Sequence, residues 1–513
     1  MSKTSKRYAL LSVFDKTNIS ILAKVLEKLN YTIISTGGTF KELKNNGVNV
    51  TPIEAITGNP RDSFDGRMKT ISFQIESGIL FDRKNPSHVK QAKDLNIPII
   101  DIVVCNLYPF EQKPGIETID VGGPTMIRAA AKNFENILVL VNPNDYELVI
   151  DALQKNKINK DLRQSLAAKA FYHLSFYDAQ IGKYFIKDQF PNEISIPLRK
   201  LQGLRYGENP HQLGAFYSVP NTNSVLSKLK HLWGRQLSGT NIGDIFSGVE
   251  TVSLFSESAA CVIKHHSPCG VAIGGNAKIA LERAVEADPV SAFGGVIVLN
   301  KTMDLEAAKI VADFRHEKEG NIDIVAVPNI TDSALELLKK VRKSMGIYVF
   351  GDLPKQRSEN FDMKWFAGVA LLQTFDDRIE DGFKDWEIVT KIKPTKKQLE
   401  LAKFGFKTVK AVRSNAVLVV DKDLPMTRGI GAGQTSRVGA CKIGLEQASK
   451  LAEGGILVSD SFFPFDDCVK LAKQYKIGLV VEQGGSVNDK ASIDAASEAE
   501  IPMIFTGRRA FRH

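Results

Sequence analysis

The chain lacks the features that mark membrane, secreted and disordered proteins. No apolar run in its 513 residues approaches the roughly 18 residues that a membrane-spanning helix requires. Residues 1–7 lead directly into an apolar strand pattern, without the apolar stretch and cleavage site of a signal peptide. Apolar residues make up 43% of the chain and charged residues 24%, which is the balance of a globular protein. At roughly 100–200 residues per domain, the length predicts three or four folded units.

Cysteine is scarce, and its spacing excludes a disulfide framework. The cysteines are odd in number and lack a paired pattern: Cys105, Cys261, Cys269, Cys441 and Cys468. We therefore expect reduced thiols in a cytoplasmic protein. Neither a Cys-x-x-Cys nor a His-x-Glu pattern lies near the adjacent histidines of the chain, so we predict no metal site there.

Positive charge is in excess but is not concentrated. A formal net charge of +9 suits nucleic acid, a membrane surface or small anions as partners. The Lys and Arg residues are interleaved with Asp and Glu, without a basic tail or an aromatic-basic RNA motif. This distribution favours phosphorylated and carboxylated small molecules. A basic RNA-binding or regulatory protein is the non-enzymatic alternative.

Strand and helix patterns alternate at the start of the chain. Apolar residues at 8–13 and 31–34 predict buried strands, and the helical spacing within 19–29 predicts a helix. This order is typical of a parallel sheet. Ser-Thr-Gly-Gly-Thr at 35–39 stands where the second strand gives way to a helix, and its N–H groups and hydroxyls could hold a phosphate. The same residues also suit a simple helix cap, and they lack the Walker A and G-x-G-x-x-G spacings.

Further polar segments follow in the first third of the chain. Residues 57–70 form a predicted loop that is dense in glycine and charge. A predicted strand at 99–104 delivers Cys-Asn-Leu-Tyr-Pro-Phe at its carboxyl end, where ligands bind in open α/β sheets. Asp-Val-Gly-Gly-Pro-Thr at 120–125 opens a helix predicted over 126–133. Taken singly, Lys132 also fits a solvated helix residue, Tyr108 an aromatic at the core edge, and Asp120 a helix N-cap.

A lysine and two histidines end a β-prone run in the middle of the chain. Lys264, His265 and His266 precede Ser-Pro-Cys-Gly at 267–270, which predicts a turn. A turn frees neighbouring side chains from strict alternation, so Lys264 and His265 could supply a positive charge and a proton acceptor to one substrate atom. The alternative interpretation is a surface loop.

These segments belong to a longer ordered set of motifs. In the N-terminal part the set comprises residues 66–70, 105–110 and 119–133. Further along it comprises residues 204–212, 264–270, 288–295, 323, 414–416, 429–438, 459–465 and 511–513. Together they closely resemble the family of bifunctional purine-biosynthesis enzymes that combine 5-aminoimidazole-4-carboxamide ribonucleotide (AICAR) formyltransferase with inosine monophosphate (IMP) cyclohydrolase. The resemblance runs from about Ala9 to His513.

The resemblance implies an α/β fold with a methylglyoxal-synthase-like parallel-sheet domain, followed by two cytidine-deaminase-like α/β subdomains without catalytic zinc. We place the cyclohydrolase domain at 1–190, because the Pro-bounded segment 189–197 is typical of a boundary. The formyltransferase region is placed at 198–513, with an internal boundary near 391–395. Family members are homodimers with formyltransferase sites at the interface, and the same is expected here.

The resemblance also implies ligands. AICAR, formyl-AICAR, IMP and folate are the expected small molecules, with 10-formyltetrahydrofolate as co-substrate and no permanently bound cofactor. Neither nucleic acid nor membrane is an expected partner.

The first implied reaction moves a formyl group from 10-formyltetrahydrofolate to the 5-amino group of AICAR. The lone pair of that amine is delocalised into the imidazole, so its proton must leave as bonding proceeds. The resemblance implies His265 as the proton acceptor and Lys264 as the charge that stabilises the adduct. It further implies roles in orientation for Asn415, in binding the pterin-like ring edge for Asp323, and in holding the nucleotide for Arg205 and Tyr206.

The second implied reaction closes formyl-AICAR to IMP with loss of water. The carboxamide nitrogen attacks the formyl carbon, which requires charge stabilisation and a route for protons. The family's catalytic positions fall on Lys69, Tyr108, Asp120 and Lys132. Its substrate positions fall on Arg67 and on a phosphate cradle made of Ser12, Lys16, Ser35, Thr36, Gly37, Gly38 and Thr39.

Two stretches depart from the family pattern. After residues 66–70 the family usually continues Leu-His-Pro, and this chain has Ile71, Ser72 and Phe73. The change leaves open an enzyme whose formyltransferase works while its cyclohydrolase is impaired. Ala411 stands where a histidine is common, although Asn415 after it is kept.

Overall fold

The computed structural model describes residues 6–60, 63–315, 321–354, 361–376 and 380–513. Two compact units are present, Met1–Arg199 with Val219–Asn221, and Lys200–Ser218 with Thr222–His513. The sequence-based division at 190 and 198 lies close to this one, although the functional limits themselves stay a prediction. In the described part of the chain, no helix is both long and apolar enough to cross a membrane.

The first unit is a five-stranded parallel sheet with the order β3-β2-β1-β4-β5. Its strands are β1 (Arg7–Val13), β2 (Tyr31–Ser35), β3 (Val50–Pro52), β4 (Ile99–Asn106) and β5 (Leu138–Leu140). Its helices are α1 (Ile19–Lys28), α2 (Gly37–Asn45), α3 (Glu54–Thr57), α4 (Phe73–Leu80), α5 (Pro86–Asp94), α6 (Gly122–Lys132), α7 (Tyr146–Gln154) and α8 (Lys160–Phe185). The predicted parallel sheet is confirmed.

The central strands of this sheet are buried on both faces. Leu10 and Val103 pack in a core with α4, α6 and α8, while Leu11 and Val104 pack in a second core with α1 and α7. Apolar runs without alternation are therefore what these strands require. All the carboxyl ends of the parallel strands meet at one edge, which is where the candidate residues of this unit are delivered.

The second unit contains two six-stranded sheets and two small hairpins. Its strands are β6 (Arg199–Gly203), β7 (Ala215–Ser218), β8 (Lys230–Trp233), β9 (Ser258–Lys264), β10 (Ser267–Gly274), β11 (Val296–Leu299), β12 (Ile324–Val327), β13 (Gly346–Val349), β14 (Asp362–Phe366), β15 (Val369–Gln373), β16 (Glu387–Ile388), β17 (Val417–Val420), β18 (Thr427–Gly431), β19 (Ile456–Ser459), β20 (Leu479–Glu482) and β21 (Met503–Phe505). Its helices are α9 (Gly239–Val252), α10 (Ala277–Ala287), α11 (Pro289–Ala292), α12 (Leu305–Asp313), α13 (Asp332–Val341), α14 (Lys396–Val409), α15 (Arg437–Ala448), α16 (Asp467–Gln474) and α17 (Asp489–Glu498).

The two large sheets share one topology. Their strand orders are β10-β9-β11-β12-β13-β8 and β18-β17-β19-β20-β21-β16. Each begins with an antiparallel hairpin, continues through three parallel strands and ends on an antiparallel edge strand. The prediction of two related α/β subdomains is confirmed. The second sheet takes its edge strand from Glu387–Ile388, a few residues before the predicted internal boundary.

One core joins the two subdomains. Helices α9 and α14 contribute buried residues to it, and the rings of Phe255 and Phe404 meet there with centroids 5.4 Å apart. Each helix begins with a reciprocal capping box, made by Ser238 with Asn241 and by Thr395 with Gln398. Such boxes satisfy N–H groups that would otherwise be left unpaired at the helix start.

The turn in the middle of the chain is not where the sequence predicted it. Residues 267–270 begin β10, and Pro268 pairs with Ile263 across a bulged ladder. The turn is made by His265 and His266 themselves, with φ angles of 55° and 65°. Two-residue hairpin loops favour positive φ at both positions because that twist matches the strands. The prediction was wrong because glycine and proline are the usual turn residues, and here two histidines take their place.

Helix α9 lies so close to the β10-β9-β11-β12-β13-β8 sheet that only glycine fits at position 248. A Cβ placed there would lie 2.3 Å from Val298 Cγ2 and 3.2 Å from Ile263 Cγ1. We expect Gly248→Ala to lower the free energy of unfolding of the second unit by about 1–3 kcal/mol through overpacking. Denaturant titration followed by tryptophan fluorescence measures this, because Trp233, Trp365 and Trp386 all lie in that unit. Gly275→Ala, which meets nothing within 4 Å, is the matched control and leaves the midpoint unchanged.

Candidate active sites

An asparagine at the end of β4 organises the carboxyl edge of the first sheet. Asn106 Oδ1 accepts hydrogen bonds from the backbone N–H groups of Phe14 (2.7 Å) and Asp15 (2.8 Å), and its Nδ2 donates to the Asp15 carbonyl (3.0 Å). The Phe14 ring then packs against Tyr108, with centroids 5.1 Å apart. The loop that carries Lys16 and the loop that carries Tyr108 are thus fixed to each other.

The predicted phosphate cradle is only partly available as predicted. The Ser35 hydroxyl donates to the Leu11 carbonyl (2.7 Å), and the Thr39 hydroxyl bonds both to the N–H and to the carbonyl of Val13 (2.9 Å each). These two hydroxyls therefore fix α2 against β1. The side chain of Thr36, at the N-cap of α2, makes no capping hydrogen bond. Ser12 is half-buried in β1, opposite Cys105 of β4.

Backbone and ammonium groups remain for an anion at the start of α2. Gly37 and Gly38 are exposed, and the first N–H groups of a helix have no partner within it. A Cβ placed on Gly38 would lie 3.6 Å from Lys16 Nζ, so the ammonium stands over the helix start. A helix N-terminus with a lysine beside it is a favourable place for phosphate.

Asp120 lies just before the start of α6 and is half-buried. Its Oδ1 accepts a hydrogen bond from the Gly123 N–H at 2.9 Å, and its backbone N–H donates to the Tyr177 hydroxyl at 2.7 Å. Burial raises the pKa of the Asp120 carboxyl, against the lowering effect of the Gly123 and Gly122 N–H groups. A carboxyl with a raised pKa can hold a proton for transfer. The N-cap of α6 is Val121 and not Asp120, although the Asp120 carboxylate bonds to the first turn of the helix.

The loop before α4 docks on the start of α6. A Cβ on Gly122 would lie 2.3 Å from Thr70 Oγ1, so the residue after Lys69 is in close contact with the helix that follows Asp120. Asn59 Nδ2 holds the same loop by donating to the carbonyls of Met68 (2.9 Å) and Ile71 (3.3 Å). Lys69 itself is exposed.

Two predicted residues of this site, Arg67 and Lys132, are not held at the carboxyl edge by the contacts described above. Arg67 is exposed and paired with Glu117 at 2.7 Å. Lys132 is the last residue of α6, about 15 Å along the helix from its first residue at 1.5 Å per residue. The structure therefore brings the loops of Lys16, Lys69, Tyr108 and Asp120 to one edge, and it does not bring Lys132 there within one chain.

The altered residues 71–73 have a local structural role. Ser72 is the N-cap of α4, and its side chain accepts the Ile75 N–H at 3.2 Å. Serine is among the preferred N-cap residues. The loop behind Lys69 is thus anchored at Asn59 before it and at Ser72 after it.

In the second unit the tip of the β9–β10 hairpin presents Lys264 and His265. Lys264 is half-buried, and its Nζ donates to the Phe293 carbonyl at 2.9 Å. His265 is exposed, whereas the ring of His266 lies against Gly243, where a Cβ would be 2.2 Å from Nε2. Only the first of the two imidazoles is therefore open to a ligand.

Asp323 directly precedes β12 and lies at the same edge. Its backbone N–H donates to the Gly295 carbonyl. The next residue, Val296 of β11, pairs with Ile263 of β9, which is the residue before Lys264. Arg235 donates to its Oδ2 at 2.6 Å and Asn321 to its Oδ1 at 3.2 Å. The predicted ligand of the pterin-like edge is thus paired with a guanidinium that carried no local sequence signal.

Arg205 and Tyr206 lie beside the start of α9. The Arg205 N–H donates to the Leu237 carbonyl at 3.0 Å, and the Gly239 N–H donates to the Tyr206 carbonyl at 3.1 Å. The guanidinium stacks on the Tyr206 ring, 4.6 Å from its centroid, and bonds to its hydroxyl at 2.9 Å. The pair presents an exposed cation on a preorganised aromatic support.

Asn415 belongs to the second subdomain, and the C-terminus ties its turn to α9. The side chain of Asn415 donates to the Gln434 carbonyl at 2.8 Å. Arg512 donates to the Ala411 carbonyl and to the Ser247 hydroxyl of α9 at 3.1 Å each, and its own carbonyl accepts the Ser414 N–H. Ala411, which replaces a common histidine, is buried and uses only its backbone in this network.

Two residues of these sites carried no sequence signal. Arg235 pairs with Asp323, 88 positions away, and the Asp244 carboxylate accepts the His266 N–H, 22 positions away. Asn106 lies in a sequence motif, but the motif did not predict its hydrogen bonds to the loop after β1. Local spacing cannot reveal contacts across such separations. Within the described residues, no group of three or more metal-ligating side chains is assembled.

Comparison with known proteins identifies the family of the chain. The sequence profile of the AICARFT/IMPCHase bienzyme family matches residues 130–447, and that of the MGS-like domain matches residues 18–134. The chain belongs to the AICARFT/IMPCHase bienzyme family. The bifunctional purine biosynthesis protein PurH of Oceanobacillus iheyensis is 40% identical over 522 residues, covering 99% of this chain and all of that protein. The proteins of the same name from Acetivibrio thermocellus and Clostridium botulinum are 40% and 41% identical, each covering 98% of this chain and 99% of the relative. The predicted family and fold class are confirmed.

The raised pKa of Asp120 predicts a dependence of stability on pH. The folded carboxyl binds its proton more tightly than the unfolded one, so its ionisation costs stability as pH rises above about 3.8. We expect Asp120→Asn, whose amide oxygen still accepts the Gly123 N–H, to raise the melting temperature at pH 7 and to have little effect near pH 3. Thermal unfolding across this range measures it. Asp15→Asn is the contrast, because the pKa of Asp15 is lowered by hydrogen bonds from Thr17 and its loss cannot stabilise the neutral-pH state in this way.

Proposed function

We propose that the two edges described above carry the two reactions of this bienzyme. The chain is a bifunctional enzyme of purine synthesis, an AICAR formyltransferase and IMP cyclohydrolase that performs the last two steps of IMP synthesis. Formyl transfer is assigned to the second unit and ring closure to the first. The observation that carries the assignment is the hairpin tip, where a half-buried ammonium stands beside an exposed imidazole.

For formyl transfer, His265 accepts the proton of the AICAR 5-amino group while the nitrogen bonds to the formyl carbon. The C–N bond to the folate then breaks, and the folate nitrogen takes the proton that His265 accepted, so that the base is regenerated. Lys264 supplies positive charge where the adduct develops negative charge. Its anchoring at the Phe293 carbonyl supports this role, because a preorganised donor loses little entropy when the reaction occurs.

The same edge offers contacts for both substrates. Arg205, stacked on Tyr206, suits the phosphate of the nucleotide because a guanidinium forms forked hydrogen bonds to oxyanions. Asp323 suits the donor edge of the folate ring, and Asn415 orients the carboxamide. We propose 10-formyltetrahydrofolate as the co-substrate, with no permanently bound cofactor, and AICAR, formyl-AICAR and IMP as the other ligands.

For ring closure, the start of α2 and Lys16 hold the phosphate while Lys69, Tyr108 and Asp120 surround the reacting groups. The carboxamide nitrogen attacks the formyl carbon, and the resulting oxygen leaves as water after it gains protons. Burial raises the pKa of Asp120, which supports a role in carrying a proton. A catalytic role for Lys132 in ring closure stays a prediction, because within one chain this residue lies at the far end of α6 from Asp120. The anchored loop behind Lys69 favours a working cyclohydrolase over an impaired one.

A two-stage assay with AICAR and 10-formyltetrahydrofolate tests both assignments. We expect Lys264→Ala and His265→Ala to lower tetrahydrofolate release by about 10²–10⁴-fold, since each removes a proton acceptor or a charge from the transition state. Lys69→Ala should instead leave formyl transfer intact and stop conversion of formyl-AICAR to IMP. Lys301→Ala, at an exposed lysine that follows β11, is the control for the second unit.

Each outcome of that assay has a separate meaning. Accumulation of formyl-AICAR by the unaltered protein supports the impaired-cyclohydrolase alternative. Absence of tetrahydrofolate release contradicts the formyltransferase assignment. Nucleic-acid affinity that falls steeply with salt, without either activity, would point to the non-enzymatic alternative.

We propose a cytoplasmic homodimer with formyltransferase sites at its interface. The β14–β15 hairpin supports an interface, because Trp365, Phe366 and Val369 are 67%, 57% and 68% exposed, and soluble monomers rarely expose such apolar clusters. All five cysteines are free, which suits a reducing compartment.

Sedimentation velocity tests the homodimer. We expect the double variant Trp365→Ser, Val369→Ser to shift the protein toward monomer and to lower formyl transfer at the same time. Val487→Ser, which alters a fully exposed side chain of the same unit, is the control and keeps the dimer. A strictly monomeric unaltered protein with full activity would contradict the proposal.

A further inference from the structure

A buried carboxylate supports the turn that presents His265. Asp244 lies on α9 with 6% of its surface exposed, and its Oδ1 accepts a hydrogen bond from the His266 N–H at 2.7 Å. The neighbouring Gly243 receives the His266 ring, since any Cβ there would clash with it. Helix α9 therefore contacts both the backbone and the second side chain of the turn, and it leaves the first imidazole free.

The turn needs this support. His265 and His266 both have positive φ, a region that costs an L-residue other than glycine, asparagine or aspartate roughly 1–2 kcal/mol. The hydrogen bond from the His266 N–H to a buried, charged acceptor is of the stronger kind and offsets part of that cost. Without it, nothing else among the described contacts fixes the N–H of the turn.

The charges around Asp244 are few and can be named. His265 and His266 face it from the turn, and Asp323 faces it from the start of β12 with its own charge paired to Arg235. Arg512 bonds to Ser247 further along the same helix, and Lys264 points to the Phe293 carbonyl. Burial raises the pKa of Asp244, while the His266 N–H and the two imidazoles lower it.

We propose that Asp244 is a positioning residue for formyl transfer, which holds the turn so that His265 meets the substrate amine and whose charge favours the imidazolium formed when His265 takes the proton. The proposal rests on the function proposed above. It adds a residue that touches no substrate and acts through the turn. The proton passes from the amine nitrogen to the imidazole, and Asp244 itself exchanges none.

Two substitutions separate the hydrogen bond from the charge. Asp244→Asn keeps an acceptor for the His266 N–H and removes the negative charge, so the protonated imidazole is less favoured and the acid limb of the pH profile for formyl transfer moves to lower pH. Asp244→Ala removes the acceptor as well, and displacement of the base lowers kcat by roughly 100-fold with the KM for AICAR changed less than about threefold. Asp421→Asn, at a buried carboxylate bonded to Arg428 in the other subdomain, is the matched control and leaves the limb in place.

Folding is checked by circular dichroism and by tryptophan fluorescence melts, and Asp244→Asn is close in shape to the native residue if the alanine variant fails to fold. An acid limb that stays in place in Asp244→Asn overturns the proposal, as does an alanine variant that folds and retains the native kcat. Failure of the proposed function is distinguishable. In that case the unaltered protein releases no tetrahydrofolate, or His265→Ala keeps full activity, whatever the Asp244 variants do.

Discussion

The close approach of α9 to the β10-β9-β11-β12-β13-β8 sheet is the constraint on which the edge that presents Lys264 and His265 depends. Gly248 lets the helix pack on Val298 and Ile263, and from that position the helix places Asp244 and Gly243 directly under the hairpin turn. The start of the helix also contacts the loop of Arg205 and Tyr206. A helix displaced by even one side-chain radius would move the turn and the nucleotide loop together. Packing density in the core is therefore what sets the geometry at the edge.

In the first unit, polar side chains and not a helix face hold the loops at the edge of the sheet in place. Its parallel strands end at one edge, and side-chain hydrogen bonds to the backbone hold the loops that follow them. Asn106, Asn59 and Tyr177 supply the missing order by accepting and donating hydrogen bonds to loop backbones. Gly122 and Gly123 then allow Thr70 and the Asp120 carboxylate to approach the start of α6. The site consists of loops, and its rigidity comes from amides and a phenol beneath them.

Much of this architecture could be predicted from sequence, and the failures have specific causes. The apolar runs at 8–13 and 99–104 predicted buried parallel strands, because such strands need no alternation. The ordered motifs predicted the family and the related subdomains, and both predictions are confirmed. The turn at His265 and His266 was misplaced because its support comes from α9 and not from local turn residues. Arg235 and Asp244 were missed because they contact residues that are far away in sequence. Lys132 belongs to the same sequence motif as Asp120, but within one chain it lies at the opposite end of α6 and not at the carboxyl edge of the sheet.

The electrostatics of Asp323 explain how a carboxylate with partners can still recognise a ligand. Arg235 and Asn321 each donate one hydrogen bond to it, one at each oxygen. A carboxylate has about four acceptor positions, so two remain for the paired N–H groups of a pterin-like edge. The positions left on a carboxylate accept hydrogen bonds, so a ring edge that presents two donors is favoured over one that presents an acceptor. We therefore propose that the pairing with Arg235 and Asn321 leaves Asp323 free to bind such an edge and does not block it.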